Sequence, residues 1–297
     1  ASIDNTIDTK TGLPIFSLYG KNKKPSKEIL EDVDMVVFDI QDVGARFYTY
    51  ISTLHYVMEA CAENSIPVLV LDRPNPNAHY VDGPVLDTAF KSFVGMHPIP
   101  IVHGMTLAEY AQMINGEYWL KDSVQCELYW QGMKNYDHQK SYNLPIKPSP
   151  NLPNSQSIAL YPSLCLFEGT DMSVGRGTSQ QFQVIGSPKL DSCFYSFTPI
   201  SGQGAKYPKH ENKDCCGWDL RDIEAQNQVD LEYLIESYRQ YEEKDARFFN
   251  SFFDKLAGSS QLRVQIESGW TSDQIKQTWK DGLDAFKKKR QLYLIYQ

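Results

Sequence analysis

Asp34-Met-Val-Val-Phe-Asp-Ile-Gln-Asp-Val-Gly-Ala-Arg-Phe-Tyr48 is the stretch that decides the fold. Its apolar run, Met35 to Phe38, reads as a buried strand. Asp39, Gln41, Asp42, Arg46 and Tyr48 then crowd into a polar loop, with Gly44 letting the backbone turn. Ile51, Leu54, Met58 and Cys61 follow at three- and four-residue spacings, the pattern of a helix. Strand, polar loop, helix places a binding loop at the carboxyl end of a parallel strand, where open α/β sheets hold their ligands.

Outward from that stretch the theme repeats. Pro67–Leu71 is a second buried strand, ending in Asp72-Arg-Pro-Asn-Pro76, whose prolines forbid helix and stiffen the loop. Ile99–Val102 is a third apolar run, ending at His103, and Thr106 with Glu109 forms a capping box for the helix that follows. Val124–Trp130 reads as another strand, and the proline-rich segment 145–153, which carries Asn151, as an irregular loop. Leu164–Phe167 is a further apolar run that ends at Glu168, with Gly175-Arg-Gly177 soon after. Upstream, Ile15–Leu18 is a strand candidate ended by Tyr19-Gly20, and Ser26 caps a short helix through Leu30. Composition shifts after Pro188: residues 201–218 read as polar loop, Asp230 starts a helix, and Leu262–Ile266 alternates as a strand. Thr271 and Gln274 cap a last helix, and Leu292–Tyr296 reads as a closing strand. The expectation is a mostly parallel α/β domain over residues 1–187 and a smaller α+β domain over 188–297.

Composition narrows the function. Over 297 residues, 41% hydrophobic and 22% charged side chains fit an ordinary globular protein, and a net charge of −8 argues against a general nucleic-acid binder. The one basic cluster, Lys287–Arg290, reads as the solvated last turn of a helix. No run approaches the ~20 apolar residues of a membrane span. Ala1 in place of Met reads as a processed, engineered or clipped start, any targeting segment being already gone. The six cysteines show no zinc-type spacing. Cys61, Cys126 and Cys165 sit in apolar patterns, whereas Cys193 pairs with Cys215 or Cys216 if the compartment is oxidising. Neither G-x-G-x-x-G, G-x-x-x-x-G-K-[ST] nor G-x-S-x-G occurs, so nucleotide binding and esterase chemistry have no motif, and no cofactor is expected.

Four apolar runs stop at polar clusters: Asp39/Gln41/Asp42, Asp72/Arg73/Asn75, His103 and Glu168. On a parallel sheet these converge on one edge and suit a polyhydroxylated or anionic small molecule. Any one cluster alone is a turn or a helix cap; four together favour a site. Glu168, directly after an apolar run and beside glycine, is the sharpest residue, because partial desolvation raises a carboxyl toward general-acid range. Arg46, Arg73 and Arg176 are candidates to clamp an anion, although each alone is commonly a structural ion pair. His103 is a proton-shuttle candidate whose commoner fate is a bond to backbone. Asp39 and Asp42 as a metal pair lack further ligands nearby, which leaves a phosphoesterase reading weak and no metal expected.

Several long motifs then occur in one order: Asp39-Ile-Gln-Asp-Val-Gly-Ala-Arg-Phe-Tyr-Thr-Tyr50, Leu71-Asp-Arg-Pro-Asn-Pro76, Ser92-Phe-Val-Gly95, His103-Gly-Met-Thr106, Pro148-Ser-Pro-Asn151, Tyr161–Thr170 and Gly175-Arg-Gly-Thr178. Together they resemble the NamZ-type exo-β-N-acetylmuramidases, from about Thr11 to the Tyr293–Tyr296 pattern. The resemblance implies a Rossmann-like catalytic domain, a smaller C-terminal domain and an active site in the cleft between them. It also implies release of the non-reducing terminal N-acetylmuramic acid of peptidoglycan fragments, in a periplasmic or secreted setting. Family members usually carry a preceding segment with a Pro-Glu-His-Gly stretch, whose glutamate would be a further catalytic candidate. Glycoside hydrolysis commonly needs two carboxyl groups. Glu168 would be one, and the other would lie on that preceding segment or among Asp39, Asp42 and Asp72. Arg46, Arg73 or Arg176 would pair with the lactyl carboxylate. Gln41, Asn75 and Asn151 would hydrogen-bond hydroxyls or the acetamido group, and Tyr48 and Tyr50 would stack on a sugar face. The rival from another class is a periplasmic module that binds a muropeptide or sugar in the same cleft without turnover.

Overall fold

A computed structural model describes residues 5–18, 20, 22–241 and 248–296; Ala1 and Tyr19 lie outside them. The chain opens with a short antiparallel ribbon, β1 (Thr6–Ile7) with β2 (Pro14–Ile15). The strand expected through Leu18 stops at Ile15, and the helix expected from Ser26 is a single 3-10 turn, Glu28–Leu30.

β3 (Val36–Phe38), β4 (Val68–Leu71) and β5 (Leu128–Gln131) form a parallel sheet in that order, with Val37, Leu69 and Tyr129 in register. The alternation of a strand puts Phe38, Val68 and Val70 on one face. There they pack with Leu54, Met58 and Cys61 of α1 (Tyr50–Glu63) and Ala108, Ala111 and Met113 of α2 (Leu107–Gly116). α2 begins with the expected capping box: Thr106 accepts from the Glu109 backbone and Glu109 accepts from the Thr106 backbone. Ile99–Val102 is not a strand. Val102 makes only isolated bridges, to Ala45 and Asp82, so this buried run plugs the core instead of extending the sheet.

The second unit holds an antiparallel sheet, β6 (Val184–Ser187), β7 (Tyr195–Phe197) and β8 (Cys215–Asp219), in the order β6-β8-β7. Backbones meet closely at Gly217, where a Cβ would sit 2.0 Å from the Ile185 carbonyl oxygen. β8 falls inside the segment expected to be loop. Leu164–Phe167 is not a strand either: α3 (Ser155–Leu164) runs into a 3-10 turn, Cys165–Gly169. Among the described residues, α4 (Glu232–Gln240) is followed by four short helices, α5 (Phe253–Ala257), α6 (Gln261–Glu267), α7 (Ser272–Gln277) and α8 (Lys280–Arg290). Residues 262–266, expected to be a strand, are therefore helical: Leu262, Gln265 and Ile266 face inward at helical spacing. The Thr271–Gln274 capping box is present, and Leu292–Tyr296 closes the chain without forming a strand.

The architecture is thus a mostly parallel α/β unit followed by a smaller α+β unit, as expected. The two share a core, because Val43, Ala45 and Phe47 of the loop after β3 pack with Tyr161, Phe167, Phe182, Leu256 and Leu283. Cys193 and Cys216 form a disulfide; Cys61, Cys126, Cys165 and Cys215 are buried thiols. Among the described residues no helix is long and apolar enough to cross a membrane, and no group of His, Cys, Asp and Glu could hold a metal ion.

Candidate active site

Glu168 owes its position to the end of α3. Asn154 caps that helix by accepting from the Ser157 backbone at 2.9 Å. The 3-10 turn then buries Phe167 and leaves the Glu168 side chain a quarter exposed. Gly169 lets the chain pass beside α5, since a Cβ there would lie 2.4 Å from the Phe253 Cα. Arg176 sits between Gly175 and Gly177, both at positive φ, and its Nε donates to the Glu168 carboxylate. Its guanidinium lies 5.0 Å over the Phe182 ring. Nη1 and Nη2 have no partner among the described residues.

Glu168 and Arg176 line a cavity of about 290 Å³, together with Gly204, Tyr207 and Lys209. Lys209 Nζ donates to the carbonyl oxygens of Thr170 and Met172, and burial pulls its pKa down. Asn151 braces the wall: its Nδ2 donates to the Gly204 carbonyl at 2.9 Å, while its buried Oδ1 has no partner. Tyr48 donates from its hydroxyl to the Pro148 carbonyl and packs edge-on against Tyr50 and Tyr161. Glu168, Arg176 and Asn151 therefore come together, with Tyr48 behind the loop that carries Asn151.

The other expected residues do not join them. Asp39 and Arg73 pair with each other at the carboxyl edge of the sheet, each 44% exposed. Gln41 donates to the carbonyls of Asp42 and Pro74. Asn75 donates to the Met105 carbonyl and accepts from the Asn77 backbone. Asp72 accepts from the Ala108 backbone and the Tyr296 hydroxyl. His103 accepts from the Met105 backbone, its Nε2 buried and unpartnered, and burial pulls its pKa down to about 3. Arg46 is the clearest correction. It is fully buried and donates to the carbonyls of Pro84, Ile99, Leu256 and Ala257, so no ligand reaches it. Asp42 is buried, accepts from the Gly44 backbone through Oδ2 and leaves Oδ1 unpartnered; burial pushes its pKa up to about 7.

Lys209 and Tyr207 escaped the sequence reading. They lie in the segment taken as plain loop, and only the turn signal of Gly202-Gln-Gly204 marks it. What makes them cavity residues is the tertiary approach to Glu168.

Fold and cavity together define a two-unit α/β protein with an ion-paired carboxylate in an open pocket of small-molecule size. Profiles of one family match both units: "Exo-beta-N-acetylmuramidase NamZ, N-terminal" over residues 1–156 and "Exo-beta-N-acetylmuramidase NamZ, C-terminal" over residues 159–296. The chain belongs to the NamZ family. It is 39% identical over 320 aligned residues to the peptidoglycan beta-N-acetylmuramidase NamZ of Bacillus subtilis (strain 168), covering 99% of this chain and 75% of that protein. A crystal structure of a DUF1343 family protein from Bacteroides fragilis NCTC 9343 superposes with a TM-score of 0.94 at 51% identity, covering 99% of this chain and 83% of that one. A second from the same organism gives 0.85 at 29% identity, covering 98% and 82%. The two profiles meet upstream of the boundary expected near residue 187. β6 pairs with β8 across that position.

Proposed function

We propose that the protein is an exo-β-N-acetylmuramidase, a glycosidase that releases terminal N-acetylmuramic acid from the non-reducing end of peptidoglycan fragments. The observation that carries this reading is the 39% identity, over 99% of the chain, to a peptidoglycan beta-N-acetylmuramidase. The cavity supports it residue by residue. Glu168 presents its carboxyl group, held in place by Arg176, to the cavity where a sugar would sit. The Nη atoms of Arg176, without a partner among the described residues, suit a second carboxylate, the lactyl group that distinguishes muramic acid from glucosamine. Asn151 acts behind the cavity, its Nδ2 holding the Gly204 carbonyl of the wall. Glycoside hydrolysis commonly uses a second carboxyl group; Asp39, Asp42 and Asp72 all lie outside the Glu168 cavity, so we assign a catalytic role to Glu168 alone.

The test is an assay on a chromogenic β-N-acetylmuramide, with the N-acetylglucosaminide as control. Release from the muramide alone, reduced at least ~100-fold in Glu168→Gln, is the expected result. Full activity in Glu168→Gln would remove the catalytic assignment, and binding without release from either compound would turn the reading to a sugar-binding protein.

We also propose that the protein works outside the cytoplasm, periplasmic or secreted, in cell-wall turnover. The Cys193–Cys216 disulfide supports this, because such bonds persist in oxidising compartments. Thiol titration of the denatured, unreduced protein should find the four free cysteines. Finding all six reduced would withdraw that support.

A further inference from the structure

A recess of about 380 Å³ opens between residues 78–81 and the last turn of α8, sharing no residue with the Glu168 cavity. Its polar lining is His79, Tyr80, Gln139, Lys287, Arg290 and Gln291, with no carboxylate among the residues that line it. The chain as a whole carries a net charge of −8, so a concave wall of the opposite sign is a local departure. Such a wall focuses its field on whatever enters.

Neither cation there forms an ion pair among the described residues. Arg290 donates to the Gly104 carbonyl and pairs with no carboxylate among the described residues. The carboxylate whose charge reaches it, Glu109, has both oxygens engaged by Thr106, His138, Ile295 and Tyr296. Lys287 is exposed and has no partner among the described residues, whereas Lys289, on the same turn, pairs with Glu117. The walls are also fixed. Gly104 has φ +64, and a Cβ there would meet the Tyr80 carbonyl oxygen at 3.0 Å, so the loop bearing His79 and Tyr80 is packed onto the residue that anchors Arg290.

His79 and Tyr80 also line an adjoining cleft of about 190 Å³. Its polar wall includes Ser141, Tyr142, Asn143, Ser155, Gln226 and Asn227, neutral amides and hydroxyls of the kind that hydrogen-bond sugar hydroxyls.

We propose that recess and cleft form a second, non-catalytic site for a carboxylated saccharide chain. The cleft takes neutral sugar, and Lys287 and Arg290 take the carboxylate of a muramic residue. The choice of saccharide rests on the muramidase reading above; the anion site itself rests on the lining.

The probe is a tetrasaccharide of alternating N-acetylglucosamine and N-acetylmuramic acid with glucosamine at its non-reducing end, so that exo-cleavage cannot begin. Its binding is measured by calorimetry against chitotetraose, which has the same backbone without carboxylates. Lys287→Glu and Gln139→Glu should each weaken the capped tetrasaccharide about fivefold, the scale of one partly exposed charge contact. Lys288→Glu makes the same change in net charge as Lys287→Glu, outside the recess, and should leave binding unchanged. Equal affinity for chitotetraose, or an equal loss in Lys288→Glu, would overturn the proposal. Hydrolysis of the muramide without this binding would sink the second site alone, and binding without hydrolysis would sink the muramidase reading alone.

Discussion

Arg46, on the loop after β3, donates to the carbonyl oxygen of Leu256, 2.9 Å away in space and 210 residues away in sequence. With its bonds to Pro84, Ile99 and Ala257, one guanidinium ties the parallel sheet's loop to α5. Replacing it by Met leaves four buried carbonyls without that donor. Each costs about 1–3 kcal/mol if water cannot reach it, so a total loss of at least about 3 kcal/mol is expected. Arg46→Lys should recover little, because one ammonium cannot match a planar fork. Urea unfolding decides the matter: a midpoint unchanged in Arg46→Met would mean that water takes over the carbonyls.

Arg46 also marks where the sequence stops being legible. From sequence, Arg46 and Arg176 look alike, each a lone arginine near glycine in a polar loop. One is sealed between two units and the other faces a cavity, and only long-range packing distinguishes them. Local signals fared better. The capping boxes at Thr106 and Thr271 and the strands at Val36 and Val68 are short-range and were readable. Short apolar runs were not, since Leu164–Phe167 and Leu262–Ile266 suit a strand or a helix equally. Glu168 lines a cavity, but at the end of a helix and not of a strand. Lys209 and Tyr207 had no local signature at all.

Buried ionisable groups set a pH dependence with opposing parts. His97 accepts from the Tyr110 hydroxyl at Nδ1 and donates from Nε2 to Nδ1 of His55, which can then donate to Glu59; this is the tautomer assignment that satisfies the chain with both rings neutral. Burial pulls His55 down to about 4, His97 well below its usual value and His103 to about 3. Folded pKa values below the unfolded ~6.5 mean that the unfolded chain binds protons first, so stability falls as pH drops below about 6.5. Asp42 acts in the opposite sense. Its folded value of about 7 exceeds the unfolded 3.8, so its contribution is lost as pH rises toward 7. Three imidazoles should outweigh it, and the protein should be less stable at pH 5 than at pH 7. Asp42→Asn removes the opposing group and should steepen that fall by about 2 kcal/mol. A variant with an unchanged slope between pH 7 and 5 would show that Asp42 is already ionised at the lower pH.

Tyr207 is 81% exposed at the rim of the Glu168 cavity, and its loop is held by bonds from Asn151 to Gly204 and from Ser201 to Lys206. A rigid, exposed ring at a sugar cavity can stack on the apolar face of a pyranose. Tyr207→Ala should raise KM for the muramide several-fold, about 1 kcal/mol of lost contact, with kcat little changed. Tyr207→Phe keeps the ring and should behave like the parent. If Phe is as impaired as Ala, the hydroxyl and not the ring makes the contact.

The chain's last turn is latched by Glu109 of α2, whose Oε1 accepts from the backbone N–H groups of Ile295 and Tyr296 at 2.9 and 3.3 Å. Its Oε2 accepts from the Thr106 backbone and from His138. Tyr296 adds a second tie, donating to Asp72 at 2.8 Å and accepting from the Met133 backbone at 3.0 Å. The two ties differ in what their loss exposes. Tyr296→Phe removes one donor from a carboxylate that still accepts from the Ala108 backbone, which should cost about 1–2 kcal/mol. Glu109→Gln is isosteric yet turns an NH₂ group toward buried donors, leaving N–H facing N–H, and should cost more, about 3 kcal/mol. Chemical denaturation of the two variants should therefore rank Glu109→Gln well below Tyr296→Phe. Equal losses would mean that the tail leaves as one unit whichever tie is cut, and that Glu109 contributes no more than the hydroxyl.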